Sequence, residues 1–120
     1  MGTELILDTG ALLAWERNDE RIRALVQLAA TGEVTLRTSS GVVAQAWRGG
    51  ARQARLAKLL ASGAVDERSL DAPAARRAGA SDVIDGHVAS LALGRPARVV
   101  TSDPDGLSRW GVEPRAILRC

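Results

Sequence analysis

Cysteine, tyrosine and phenylalanine are nearly or wholly missing from this 120-residue sequence, and each shortage excludes a class of chemistry. The single cysteine, Cys120, allows neither an intramolecular disulfide nor a cysteine-based metal site. Without Phe or Tyr, base stacking depends on three tryptophans, the histidine and the planes of arginine side chains. Because His87 is the only histidine, a catalytic Cys-His or Ser-His-Asp set is not expected.

Membrane-spanning and export segments are also missing. No apolar run approaches the roughly 18 residues of a membrane span, and the first residues lack the basic and apolar regions of a signal peptide. We therefore expect a cytoplasmic protein with no membrane association. Hydrophobic residues at 46% and charged residues at 25% are ordinary for one globular domain, predicted to span residues 1–120.

Apolar runs and helical periodicities alternate along the chain. Short strands are predicted near residues 4–7, 34–36, 65–70, 97–101 and 116–118. Helices are predicted at residues 10–17, 19–30, 40–47, 51–61, 72–78, 82–93 and 104–110. This alternation predicts an α/β fold whose central sheet is mainly parallel and has helices on both faces.

Four carboxylates are placed where such a fold binds its ligands. Asp8 directly follows the first strand, Asp103 and Asp105 follow the strand that contains Val99 and Val100, and Asp85 lies early in a helix. Ligands of open α/β sheets bind at the carboxyl ends of strands, so these acids are expected to share one crevice. Carboxylates held close together need a cation, and hard oxygen ligands select Mg²⁺ or Mn²⁺.

Each acid also has a structural interpretation. Asp8 can end a strand and cap the next helix, and Asp103 and Asp105 can form a turn or an N-cap around a proline. Asp85 has little capping value inside a helix, which favours a functional role. Hydroxyl groups that can orient water or a carboxylate, or serve only as caps, belong to Thr9, Thr101 and Ser102.

Three segments in this order resemble a PIN domain, particularly the VapC-type toxin ribonucleases: DTGALL at residues 8–13, VIDGHVA at 83–89 and VTSDPDGL at 100–107. The resemblance covers the whole chain. It implies a single PIN-like domain with an acidic site for Mg²⁺ or Mn²⁺ and endonucleolytic cleavage of RNA. It also implies a cognate antitoxin as partner, and a homodimer.

Gln45 is the departure from this resemblance, because the family typically carries a glutamate at that place. A glutamine can hold a metal-bound water through its carbonyl oxygen, but it removes one negative charge from the site. Asp82 lies three residues before Asp85 and can restore that charge from the same face of the helix. Glu16 is a poorer substitute, about two turns beyond Asp8.

A basic stripe is predicted on the middle helices. Arg48, Arg52, Arg55 and Lys58 recur at spacings of four, three and three, which places them on one helical face if the Gly49-Gly50 interruption is small. Such a stripe suits the phosphate backbone of RNA or an acidic antitoxin tail, although a solvated face is the default. Trp15 and Trp47 are expected to be core or dimer-interface anchors.

The acids predict hydrolysis without a protein nucleophile. Asp8, Asp85 and Asp103 are expected to hold a divalent cation, directly or through water, that lowers the pKa of a bound water for in-line attack on a phosphodiester. A two-metal version would need Asp105 or Asp82 in addition.

The alternative is a PIN-like module that binds RNA or protein with little or no catalysis, because of Gln45. A receiver domain is disfavoured, because the only lysine, Lys58, lies on a middle helix. A phosphatase with an Asp nucleophile is disfavoured because Gly10 stands where its second acid would be.

Overall fold

Strands and helices alternate in the computed structural model, which describes residues 3–78, 83–93 and 96–120. The strands are β1 (Thr3–Leu7), β2 (Val34–Ser39), β3 (Val65–Arg68), β4 (Ala97–Thr101) and β5 (Ile117–Arg119). The helices are α1 (Thr9–Glu16), α2 (Glu20–Ala30), α3 (Ser40–Ala46), α4 (Ala54–Ala61), α5 (Ala72–Ala78), α6 (Val83–Ala92) and α7 (Pro104–Ser108).

The five strands form one sheet in the order β3-β2-β1-β4-β5, and every neighbouring pair is parallel. The chain moves from β1 outward through β2 and β3, then crosses back to β4 and β5 on the other side of β1. Because crossovers between parallel strands are right-handed, this reversal places helices on both faces. The predicted α/β fold with a parallel sheet flanked by helices is confirmed. The reversal also makes the carboxyl ends of β1 and β4 the topological switch point of the sheet.

The hydrophobic core lies around β1 and β4, the central strands. Ile6 and Val99 are fully buried and pair in register, as expected for strands covered on both faces. Leu12 of α1 and Val88 of α6 are also fully buried in this core. Trp15 packs against the core as predicted, whereas Trp47 is 49% exposed.

Polar caps define where several helices begin. The Asp19 carboxylate accepts hydrogen bonds from the amides of Arg21 and Ile22 at the start of α2, and the Ser39 hydroxyl accepts one from Gly41 at the start of α3. No helix in the described ranges is long and apolar enough to cross a membrane.

The helix expected over residues 51–61 is present, but it begins with a 3-10 turn and is separated from α3 by residues 47–50. Gly49 and Gly50 adopt positive φ angles of 74° and 82°, which glycine tolerates without strain, and residues 51–53 form only a 3-10 turn before α4. Arg48 therefore lies in the loop after α3, and Arg55 lies on α4. The continuous helical face that would align these side chains in a stripe is not formed.

Candidate active site

Asp8 stands directly at the switch point. Its backbone amide continues the β1–β4 ladder by donating to the Val100 carbonyl at 2.9 Å. Its carboxylate caps α1, accepting from the Thr9 amide at 2.8 Å through Oδ1 and from the Thr101 hydroxyl at 2.8 Å through Oδ2. Asp8 is only 6% exposed, so these two donors hold a buried carboxylate in one orientation. The capping and ligand interpretations of Asp8 are thus compatible.

Thr101 joins the ends of β1 and β4. While it donates to Asp8, its hydroxyl oxygen accepts a hydrogen bond from the Asp103 amide at 2.9 Å. Thr101 is fully buried, so no bulk water competes for this hydroxyl. The loop that carries Asp103 is therefore fixed relative to Asp8.

Asp85 and Asp103 approach each other beside Gly106. A Cβ atom at Gly106 would lie 2.8 Å from Asp103 Oδ2 and 3.0 Å from Asp85 Oδ2, so both carboxylates reach the same small space. The Asp103 carboxylate also caps α7 by accepting from the Gly106 amide at 3.3 Å. A side chain at position 106 would displace one or both carboxylates, so glycine here leaves the space between them open.

Gln45 reaches the same end of the sheet from α3. Its Oε1 accepts a hydrogen bond of 2.6 Å from the Thr9 hydroxyl, whose backbone amide binds Asp8. Gln45 is exposed, so its amide faces solvent next to the acids. Ser102 packs on the other side, where a Cβ at Gly10 would stand 2.2 Å from its hydroxyl. The structure thus brings Thr9, Gln45, Thr101 and Ser102 to the acids.

Two further acids are not brought into this group. Asp105 is exposed in the first turn of α7 and makes no hydrogen bond or ion pair with any described residue. Asp82 lies outside the described residues, so its predicted role stays a prediction. Within the described ranges, no three His, Cys, Asp or Glu side chains stand together as a complete metal-binding group.

The donor chemistry nevertheless fits Mg²⁺ or Mn²⁺. Magnesium in proteins keeps several waters and is held by only one or two carboxylates, so it does not need three protein ligands at contact distance. Asp85 and Asp103 supply two such carboxylates beside Gly106, and the Thr101 hydroxyl links the Asp8 carboxylate to the Asp103 backbone amide. All three are hard oxygen donors.

A second polar cluster lies at the far end of α1. The buried carboxylate of Glu16 pairs with Arg48, and its Oε1 has no partner among the described residues. Arg55 donates to the Trp15 carbonyl at 3.2 Å and to Asn18 Oδ1 at 2.9 Å, with its guanidinium 5.0 Å from the centre of the Trp15 ring. Arg48 and Arg55 therefore already hold protein groups. Their predicted contact with RNA or antitoxin, and that of Arg52, stays a prediction.

His87 forms a buried pair with Ser39, at the carboxyl end of β2. Its Nδ1 lies 2.6 Å from the Ser39 hydroxyl, and both residues are at most 2% exposed. Burial lowers the pKa of His87, the Arg77 charge lowers it further, and Asp71 opposes these effects. This geometry fits a structural role for His87, and sequence periodicity gave no sign of its partner.

Comparison with known proteins finds a likeness in fold only. No protein-family model and no curated protein matches the chain. Among solved structures, VapBC2 from Rickettsia felis bound to a promoter DNA fragment matches at 17% identity and a TM-score of 0.66, over 98% of this chain and 99% of that one. FitAB bound to the IR36 DNA fragment matches at 17% identity and a TM-score of 0.60, over 96% and 94%. Both are toxin–antitoxin complexes bound to DNA.

The family assignment made from the sequence is corrected by these findings. The chain resembled a PIN domain of the VapC type in three short segments, but no family model matches, and the structures that share its fold are DNA-bound complexes at low identity. The physical reason for the error is that those segments are short and serve local needs. Asp8 and Asp103 both cap helices in this fold, so Asp-Thr and Thr-Ser-Asp sequences occur without indicating a family.

Proposed function

We propose that the chain is a divalent-metal-dependent endoribonuclease that acts as the toxin of a toxin–antitoxin pair. Two observations support the proposal: Asp85 and Asp103 share the space beside Gly106, and Thr101 links the Asp8 carboxylate at the switch point to the backbone amide of Asp103. The toxin–antitoxin context is supported by two structures of the same fold, VapBC2 and FitAB. Their DNA belongs to those complexes, and RNA as substrate here is an inference from the site.

The three acids have different proposed roles, in metal binding and in orienting water. Asp85 and Asp103 would hold Mg²⁺ or Mn²⁺ beside Gly106, and Asp8, fixed by Thr9 and Thr101, would orient a water. A bound divalent cation neutralises a phosphodiester and lowers the pKa of water, so that hydroxide can attack in line and the RNA 3′ oxygen can leave.

Cleavage of structured RNAs by the purified protein, with Mg²⁺, with Mn²⁺ or with EDTA, tests this function. We expect cleavage with either metal and none with EDTA. Asp8→Asn should slow cleavage on the order of a hundredfold, because it removes one charge from the site. Asparagine is a good N-cap, so the variant should keep its fold. Cleavage that persists in EDTA and survives Asp8→Asn would contradict the proposal.

A second candidate is a nucleic-acid- or protein-binding module with weak or no catalysis. Gln45 is neutral where a carboxylate would complete the acids, and no three-ligand group stands ready in the described residues. This candidate predicts a protein that binds RNA equally well with Mg²⁺ or EDTA and leaves it intact.

The partner we propose is an antitoxin that places a basic side chain among the acids, where an Arg would replace the metal charge. Growth arrest on expression should be relieved by coexpressing the adjacent gene. Undiminished toxicity, with no complex on size exclusion, would contradict the antitoxin. The same column tests the expected homodimer.

A further inference from the structure

A polar basin of about 370 Å³ lies on the other side of the first turns of α6 from the acids. It is at the same edge of the sheet, because Arg68 ends β3 and His87 binds Ser39 at the end of β2. Its lining includes Arg68, Ser69, Asp71, Arg77, His87 and Ser90.

Guanidinium groups outnumber carboxylates in the lining of the basin. Arg68 is half exposed and pairs with Asp66 at 3.0 Å, and Asp66 also lies 3.4 Å from Arg37, which pairs with Glu4 at 2.9 Å. Asp71 is the one acid in the lining, and its Oδ1 is engaged in capping α5 through the Ala74 amide at 3.0 Å. The lining therefore holds two guanidinium groups against one carboxylate.

His87 is a buried wall of the basin, only 2% exposed. Its Nδ1 lies 2.6 Å from the Ser39 hydroxyl oxygen, which accepts a hydrogen bond from the Gly41 amide at 3.0 Å. The Ser39 contact thus fixes the orientation of the ring.

We propose that this basin binds a phosphate group of a nucleic-acid strand, near the phosphate held at the acids. Arg68 and Arg77 supply charge-assisted donors, which suit phosphate oxygens. Asp85 and His87 lie two residues apart and therefore on opposite sides of α6, so a strand that contacts both must pass around this helix at the same edge of the sheet. The inference rests on the proposed function, whose substrate path it defines.

The affinity for a fluorescently labelled 12-nucleotide RNA, measured by anisotropy, tests the basin. EDTA and the Asp8→Asn background prevent cleavage during the measurement. Arg77→Gln should weaken binding on the order of tenfold and reduce the salt dependence by about one phosphate contact. Arg68→Gln should act in the same direction. Arg76→Gln is the matched control, because Arg76 is the exposed neighbour on α5 and does not line the basin.

The outcomes distinguish binding of a nucleic-acid strand from binding of a free anion, and both from cleavage of RNA. Equal affinities for Arg76→Gln and Arg77→Gln would overturn the basin as a strand site. The basin would bind only a free anion if inorganic phosphate shifted the NMR signals of the His87 ring at fixed pH but Arg77→Gln left the affinity for RNA unchanged. That result would also overturn the proposal. A DNA strand of the same sequence should lose the same factor, because phosphate contacts do not read the sugar. A protein that binds RNA through Arg77 but never cleaves it would refute only the proposed reaction.

Discussion

Each end of α1 carries a buried acidic side chain, and the groups that contact the two carboxylates differ. At the amino end, Asp8 is 6% exposed, and both carboxylate oxygens accept hydrogen bonds. At the carboxyl end, the Glu16 side chain is also 6% exposed, but it pairs with Arg48 and leaves one oxygen without a partner in the described residues. Uncharged donors, the Thr9 amide and the Thr101 hydroxyl, hold the first, whereas Arg17, Arg48 and Arg55 line the depression around the second.

This difference shows that burial of a carboxylate does not by itself mark a metal site. Asp8 lies where two parallel strands end together, and uncharged donors hold it, while Asp85 and Asp103 share the space beside Gly106. Glu16 lies two helical turns away, where arginines neutralise it and a cation would be repelled. Catalysis is therefore expected to depend on the amino end of α1, and stability on its carboxyl end.

The largest effect is expected for Asp103→Asn compared with Asp105→Asn. Asp103 shares the space beside Gly106 with Asp85, whereas Asp105 lies outside the hydrogen-bond network of the described acids. Asp103→Asn should lower the rate of RNA cleavage on the order of a hundredfold, and Asp105→Asn less than about threefold. Single-turnover cleavage at saturating Mg²⁺ measures both, and equal losses would place Asp105 among the ligands.

A smaller effect is expected for Gly106→Ala. The added methyl group would stand 2.8 Å from Asp103 Oδ2 and 3.0 Å from Asp85 Oδ2, so the carboxylates must move while the backbone stays. Mn²⁺ affinity, measured by calorimetry, should fall on the order of tenfold, while the thermal midpoint stays within a few degrees. Ser108→Ala on the same helix is the control. Unchanged Mn²⁺ affinity would mean that the two carboxylates do not share a cation.

Gln45→Glu should shift Mn²⁺ affinity in the opposite direction. A carboxylate at this exposed position, beside Thr9 and Asp8, should tighten binding several-fold. The thermal midpoint without metal should fall because like charges are confined, and metal should restore it.

Asp82→Asn in both backgrounds tests whether Asp82 already supplies the missing charge. If it does, the loss of Mn²⁺ affinity should be smaller in Gln45→Glu than in the parent. Additive or null effects would place both residues outside the site.

The smallest effect concerns pH and His87. Because burial and Arg77 lower its pKa, the unfolded chain takes up a proton below pH 6.5 while the folded chain does not yet do so. The free energy of unfolding should therefore decrease as pH falls from about 6.5 toward the lowered pKa. Thermal midpoints at pH 7.5 and 5.5 should differ less for His87→Asn, which keeps an acceptor for Ser39. An equal pH dependence in both proteins would exclude His87 as its source.

Strand-end acids were the part of the site that sequence could predict. Asp8 and Asp103 follow apolar runs, and parallel strands bring such ends together whatever the side chains between them. The Ser39–His87 pair and the burial of Glu16 could not be predicted, because each joins segments distant in sequence.

The predicted basic stripe failed for a local reason. Gly49 and Gly50 turn the chain through positive φ angles. The spacing of the basic residues along the sequence does not show the size of this turn. The family resemblance failed because caps and turns reuse the same short sequences.

The central claim is that the acids at the amino end of α1, and not Glu16, support metal-dependent cleavage. The most direct measurement is the Mg²⁺-dependent rate of RNA cleavage for wild type, Asp8→Asn and Glu16→Gln, with thermal midpoints recorded in parallel. We predict a loss on the order of a hundredfold for Asp8→Asn with little change in midpoint, and for Glu16→Gln a midpoint lowered by a few degrees with its rate within about twofold of wild type. Equal rates for Asp8→Asn and wild type, or a comparable loss in Glu16→Gln, would contradict the claim.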